Sequence, residues 1–315
     1  VKIYLNRESK AGPWGGGVKL VNALIDQLVS ADHNVVHRLE PGIDVLVCFD
    51  PRPAPWGESG EDIIKYRDMN SGCRLINRVG DVGSHGKQKL TEMLWDQLPR
   101  SDRLIFPSHW ALAYLCTTAI HAQHSDIAMQ LANKEFDIIP NGPMSVFYDH
   151  RKSEQDLRSN RKIKVVTHHW SDNPKKGFEL YKELDDLEEF EFTYIGRTPT
   201  GITFKNHIKP MSAVDLAREL PKHDIYLTAS MEEAGANHVL EALASGLPVV
   251  YSNTGGSIAE YCSSYGINFE GWDVTSATSC IKRVVTEYDV FKQAALMYDN
   301  RVEDVASKYA ELIIK

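Results

Sequence analysis

The chain has 315 residues, room for two domains at roughly 150 residues each. Its 35 Lys+Arg against 43 Asp+Glu give a net charge of -8, which argues against a protein that grips nucleic acid. With 43% hydrophobic and 25% charged residues it is an ordinary globular composition, and disordered, collagen-like and coiled-coil architectures are excluded. No apolar run approaches the ~18 residues that span a bilayer. The opening Val1 to Lys10 is one strand-like segment that turns polar and does not read as a leader. Cys48, Cys73, Cys116, Cys262 and Cys280 are scattered without a Cys-X-X-Cys pair, the pattern of reduced thiols in a cytoplasmic protein.

Strand-like and helical patterns alternate from the first residue. Residues 1–5 predict a strand, followed by a glycine-rich turn containing Gly12, Gly15, Gly16 and Gly17. Val18, Val21, Leu24, Ile25 and Leu28 then recur at helical spacing over 18–29. Strands are expected at 35–39, 44–49, 74–79, 104–106 and 136–139, and helices at 61–69, 87–98 and 109–120. A polar, basic stretch with Arg151, Lys152, Arg158, Arg161, Lys162 and Lys164 predicts the domain boundary. That run reads as a solvated linker, with contact to an anionic membrane surface as the sharper alternative. The alternation then restarts. Strands are expected at 163–167, 191–195, 224–228 and 248–251. Helices are expected at 177–187, 212–220, 237–244, 257–262, 275–288 and 290–314.

Two successive βα arrays predict an α/β protein of two Rossmann-like, doubly wound domains, 1–150 and 151–315, facing a cleft, with the final helix able to pack back on the first domain. Ligands of such sheets sit beyond the carboxyl ends of the strands. The most informative stretch runs from Ser230 through Glu233, Gly235, Ala236, Asn237 and Glu241 to Gly246 and Pro248. It reads as strand end, acidic loop, helix and buried strand, with Asn237 as the helix N-cap and Gly246 as its stop. Unpaired N–H groups at that helix start are suited to phosphate. Both carboxylates can reach one pocket and accept hydrogen bonds from sugar hydroxyls.

This segment resembles the Glu-X7-Glu signature of retaining glycosyltransferases of the GT-B fold, specifically family 4, with Ala234 to Leu240 between the two glutamates. The resemblance extends to the turn Ile138-Ile139-Pro140-Asn141-Gly142, to Asn173-Pro174-Lys175-Lys176-Gly177, and to the glycine turn after the first strand. It implies that Glu241 holds the donor ribose, that Glu233 faces the transferred sugar, and that the backbone of Asn237, His238 and Val239 receives the pyrophosphate. Gly15, Gly16, Gly17, Gly235 and Ala236 would complete the donor site, and Lys176 would neutralise the diphosphate. The family's arginine a few residues before that lysine is missing, since the stretch is His168-His169-Trp170-Ser171-Asp172. Lys175 or Arg197 would substitute. Arg78, Asp81 and His85 follow a strand of the first domain, and Asp81 and His85 are candidate catalytic residues there.

The implied function is metal-independent, retaining transfer of a sugar from a nucleotide-sugar, UDP- or GDP-linked, to a carbohydrate, lipid-linked or other hydroxyl acceptor. No cofactor, nucleic acid or metal is expected. The sequence has no Asp-X-Asp triplet, and His168 and His169, adjacent on a strand, point to opposite faces. The acidic run Asp185, Asp186, Glu188, Glu189 reads as a solvated helix face. A sugar-nucleotide epimerase of the same fold and an inactive nucleotide-sugar-binding protein are the alternatives, separable by the products formed from donor alone. Location would be cytoplasmic, with peripheral membrane contact as an extension.

Overall fold

The computed structural model describes residues 1–10, 16–151 and 161–315. Contacts divide the chain into two compact units, Val1–Asn141 with Val302–Lys315, and Gly142–Arg301. Among the described residues each unit holds one parallel sheet of six strands.

In the first unit the strands are β1 (Lys2–Leu5), β2 (Asn34–Val36), β3 (Val45–Cys48), β4 (Arg74–Arg78), β5 (Arg103–Phe106) and β6 (Phe136–Ile138), in the order β2-β1-β3-β4-β5-β6. The helices are α1 (Gly16–Ser30), α2 (Gly60–Met69), α3 (Gln88–Gln97), α4 (His109–His121) and α5 (Ser125–Ala132). Gly16 and Gly17 open α1 instead of lying in a turn before it, and Gly15 lies outside the described residues. Ser59 starts α2 through a reciprocal capping box with Asp62, and the Ser108 hydroxyl starts α4 by accepting from Ala111 N at 3.1 Å. Tyr4, Leu46, Cys48 and Leu75 alternate along their strands to meet Ile63 and Ile64 of α2. The chain leaves β1 for β2 on one side and returns to β3 on the other, so the order reverses between β1 and β3.

The second unit contains α6 (Val146–Asp149), β7 (Ile163–His169), α7 (Phe178–Asp186), β8 (Phe190–Gly196), β9 (Asn206–Ile208), α8 (Ala213–Glu219), β10 (Ile225–Thr228), α9 (Asn237–Ala244), β11 (Val249–Ser252), α10 (Ser257–Cys262), β12 (Gly266–Phe269), α11 (Val274–Thr286) and α12 (Tyr288–Leu296). The sheet order is β12-β11-β10-β7-β8-β9, reversing between β7 and β10. Period-two alternation feeds two cores. Val166, Tyr226, Val249 and Tyr251 face α8 and α9, while Val165, Ile225, Leu227 and Val250 face α7 and α11. The helix expected at 290–314 is two helices, and the second, α13 (Val302–Ile314), packs on α1 in the first unit. α6 belongs with the second unit, earlier in the chain than the basic run at 151–164.

That basic run is partly built into the fold. Arg151 donates to the carbonyls of Ala244, Leu296 and Tyr298 at 2.9, 2.6 and 2.9 Å. With the buried Lys292, whose Nζ donates to Gly246 O at 2.7 Å, it meets the carbonyl end of α9, where cations are favoured. Arg161 grips the fully buried Asp224 carboxylate with two hydrogen bonds at 2.6 and 2.7 Å. Lys152 and Arg158 lie outside the described residues. The acidic run is likewise not all solvated, because Asp185 is buried and accepts from Lys205 N at 2.9 Å.

Candidate active site of the second unit

The site forms where the sheet order reverses, beyond the carboxyl ends of β7 and β10. After β7 the chain makes a short turn at Pro174–Lys176, begun by Asn173 Oδ1 accepting from Lys175 N at 3.0 Å. Gly177 then takes φ +88°, and a Cβ there would lie 2.4 Å from Ala229 Cβ. Only glycine allows this close approach. Met231 N donates to Lys175 O at 2.9 Å, tying the turn to the loop after β10.

That loop carries the two acids. Glu232 has φ +53°, uncommon for a residue with a side chain. Its N–H donates to Thr254 O at 3.0 Å, Glu233 N to Gly255 O at 3.2 Å, and Ser257 N to Glu233 O at 2.8 Å. So held, the Glu233 carboxylate receives both Lys176 Nζ and the Ser230 hydroxyl. The Lys176 and Glu233 side chains are only 11% and 13% exposed, so the pair is largely withdrawn from water. Lys175 pairs with Glu232 nearer the surface.

The helix α9 starts at Asn237, but Ala236 is its N-cap and Asn237 is its first residue. The cap makes no side-chain hydrogen bond to the helix, and Ala236 N itself donates to Ser257 Oγ at 3.2 Å. Asn237 Nδ2 turns back to Gly235 O at 3.3 Å. Val239 is fully buried, its side chain in the core. Glu241, one turn inside, is buried and hydrogen-bonded at 2.9 Å to His168 Nε2 from the end of β7. His168 Nδ1 is buried with no hydrogen-bond partner among the described residues. His169 points the other way, to Tyr181 OH of α7 at 2.8 Å. Both rings flank His238, at 6.2 and 4.8 Å between centroids.

His238 Nε2 lies 3.1 Å from Thr228 Oγ1. Burial holds its pKa down at about 3, helped by Lys176 and His168 and opposed by Glu233 and Glu241. The imidazole is therefore neutral at physiological pH. Burial also lifts the Tyr181 hydroxyl to about 12 and Tyr226 well above its ordinary value.

The structure thus gathers Lys176, Glu233, Glu241, Lys175 and the start of α9 in one unit. Of the other candidates, Arg197 belongs to this unit, and Asp81 and His85 to the first. Arg197 is exposed and lies over the Trp170 ring at 4.6 Å. Asp81 and His85 follow β4 in the first unit, where Asp81 accepts from Gly83 N at 3.0 Å and from Lys87 Nζ at 2.6 Å. Sequence reasoning missed Ser230 and His168 as partners of the two glutamates. The polar residue at a strand end, Ser230, was the available signal for one, whereas nothing local marks the His168–Glu241 pairing.

Among the described residues no group of three or more His, Cys, Asp or Glu side chains is arranged to hold a metal, and no helix is long and apolar enough to cross a membrane. Comparison with curated protein sequences finds no match. Residues 171–287 match the family model described as glycosyl transferases group 1. Among solved structures the chain is similar to sucrose-phosphate synthase from Thermosynechococcus elongatus, with TM-score 0.69 at 12% identity over 99% of this chain and 98% of that one. It is similar to the catalytic domain of starch synthase IV from Arabidopsis thaliana bound to ADP and acarbose, with TM-score 0.63 at 13% identity over 95% and 76%. HepE of Anabaena in complex with UDP and glucose gives TM-score 0.62 at 14% identity over 98% and 94%. The chain therefore has the two-domain α/β fold of the GT-B glycosyltransferases, and the segment that builds the candidate site is the one that matches the glycosyl transferases group 1 model.

Proposed function

We propose that this protein is a cytoplasmic glycosyltransferase that moves a sugar from a nucleotide-sugar to an acceptor hydroxyl, with retention of configuration and without a metal ion. The observation that carries the reading is the largely buried Lys176–Glu233 pair beside the start of α9 at the reversal point of the second sheet. A leaving diphosphate needs positive charge, and Lys176 with the N–H groups of α9 supplies it in a fixed arrangement. On this reading Glu233 orients the transferred sugar and Glu241, held by His168, takes the ribose. The neutral imidazole of His238 lines the same region without adding charge. Neighbours of the same fold bound to UDP and glucose, or to ADP and acarbose, support a nucleotide-sugar donor and a carbohydrate acceptor.

The test is product analysis with UDP- and GDP-sugars, with and without simple sugar acceptors and with excess EDTA. Transfer with the donor's anomeric configuration retained, undiminished by EDTA, is the expected result. A new nucleotide-sugar formed from donor alone would replace this reading with epimerisation. Loss of activity in EDTA with recovery on adding magnesium or manganese would overturn the metal-free account.

A further inference from the structure

Three non-glycine residues among those described have a positive φ: Asp32, Gln123 and Glu232, at +59°, +65° and +53°. Two of them sit where chains ordinarily adopt that backbone. Asp32 follows the end of α1 and Gln123 the end of α4, and the next residue of each donates back into its helix, His33 N to Leu28 O at 3.0 Å and His124 N to Ala119 O at 2.8 Å. These are helix stops. Glu232 follows no helix. It stands in the loop between β10 and α9, immediately before Glu233.

The hydrogen bonds on either side show what this turn does. In the sheet β10 lies between β7 and β11. Met231 N donates to Lys175 O at 2.9 Å, in the segment after β7, and Glu232 N to Thr254 O at 3.0 Å, in the segment after β11. Extended chain would send residue 233 back to the β7 side, because successive residues face opposite ways. Instead Glu233 N also turns to the β11 side, to Gly255 O at 3.2 Å, and Ser257 N closes on Glu233 O at 2.8 Å. The break in alternation falls on the left-handed residue. With the main chain of Glu233 committed to that side, its carboxylate meets Lys176 and Ser230. The Glu232 side chain does not offset the turn. Its carboxylate pairs with Lys175, but the two side chains are 36% and 38% exposed, and an ion pair that wet contributes little. A left-handed backbone under a side chain is costly and persists where the surroundings impose it.

We infer that Glu232 is a positioning residue that acts through its backbone: the left-handed turn aims the Glu233 carboxylate at Lys176. Its effect on turnover rests on the reading of Glu233 as the residue that orients the transferred sugar; its effect on the loop does not. The test compares Glu232→Gly, which relieves the turn of strain and removes the carboxylate, with Glu232→Val, whose β-branched side chain opposes the turn most. Glu232→Gly should melt no lower than the wild type, leave hydrogen exchange at the Glu233 and Ser257 amides unchanged, and retain kcat within about threefold. Glu232→Val should speed exchange at those two amides, and lower kcat, each by about tenfold or more. The loss in kcat should not add to that of Glu233→Gln in the double variant, because residue 232 acts through residue 233, whereas a general loosening of the fold would lower both backgrounds alike. Should Glu232→Val fail to fold, Glu232→Ala also lacks the carboxylate but keeps a Cβ in the left-handed region, and it should melt below Glu232→Gly and exchange faster at the Glu233 amide. Loss of turnover in Glu232→Gly as large as in Glu232→Val, with melting unchanged, would place the role in the carboxylate and overturn the inference. Exchange and turnover like the wild type's in Glu232→Val would overturn it too. A wild type that transfers no sugar from UDP- or GDP-sugars would fail the transferase reading of the site, and the exchange and melting comparisons would still decide the role of Glu232.

Discussion

Each unit is a six-stranded parallel sheet with one reversal of strand order, and the cations near the two reversals have different surroundings. In the second unit Lys176, 11% exposed, is matched by Glu233, and the more exposed Lys175 by Glu232. In the first, Arg78 is buried against a carboxamide, and among the described residues no carboxylate pairs with it. A matched cation is stable without ligand and must exchange its partner when an anion arrives. An unmatched one is costly without ligand and gains its partner on binding. The contrast teaches that burial alone does not mark a binding cation, and that what the cation already touches sets both its stability cost and the sign of a mutation's effect.

The largest effect tests the matched side. Lys176→Ala should lower kcat/KM by about 10²–10³-fold, the usual scale for losing one group that stabilises developing charge. It should also destabilise the fold, because Glu233 loses its cation in a largely dry place. Breaking a buried pair from one side costs about 3–5 kcal/mol. The double variant Lys176→Ala with Glu233→Gln removes the stranded charge, so chemical denaturation should show stability recovered while turnover stays low. Full activity in the double variant would show that Lys176 acts only by satisfying Glu233.

Next is the backbone that aims Lys176. Gly177→Ala puts a side chain into φ +88° and a Cβ 2.8 Å from Ala229 O. The left-handed backbone costs about 1–3 kcal/mol and the overpacking a similar amount. Both stability and donor affinity should fall. A variant that melts and binds like the wild type would mean that the turn at Pro174–Lys176 moves freely and does not fix the lysine.

How much of this was readable in the sequence follows the range of each interaction. The Glu233–Glu241 spacing, the helix between them and the stop at Gly246 depend on neighbours along the chain, so the strand-loop-helix-strand reading of residues 224–251 agrees with the structure. Asn237 is the first helical residue and not the cap: its amide turns back to Gly235 O, and the cap position falls on Ala236, a residue type with no capping side chain. Asp185 looked solvated because its backbone donor, Lys205, arrives from another element. The short edge strands β9 and β12, with half-exposed residues, lack the continuous apolar runs that gave away the inner strands. The His168–Glu241 pair spans 73 positions and joins a strand end to a helix, so only the fold reveals it.

A smaller effect separates Glu241 from its support. Glu241→Ala should weaken nucleoside diphosphate binding by about 1.5–3 kcal/mol if a charged hydrogen bond to the ribose is lost. His168→Ala should cost less, and the two changes should not add, because the imidazole acts through the carboxylate it holds. Calorimetry with UDP and GDP on the two single variants and the double one measures the coupling. Additive losses would place His168 on the ligand independently of Glu241.

The smallest expected effect at neutral pH concerns His238. Its pKa is near 3 in the folded chain against an ordinary value of 6.5. Below pH 6.5 the unfolded chain takes up a proton that the folded chain refuses, so this residue contributes stability at neutral pH that is lost as the pH falls from 6.5 towards 3. The limiting slope is about 1.4 kcal/mol per pH unit, and between pH 7 and 6 the loss is under about 1 kcal/mol. His223, also held below its ordinary value by burial, adds in the same direction. His238→Gln keeps a side chain able to hydrogen-bond Thr228 and removes the titration, so its stability should fall less steeply between pH 7 and 5 than the wild type's. An unaltered pH profile in His238→Gln would show that water reaches this imidazole and that the matched site is wetter than its burial implies.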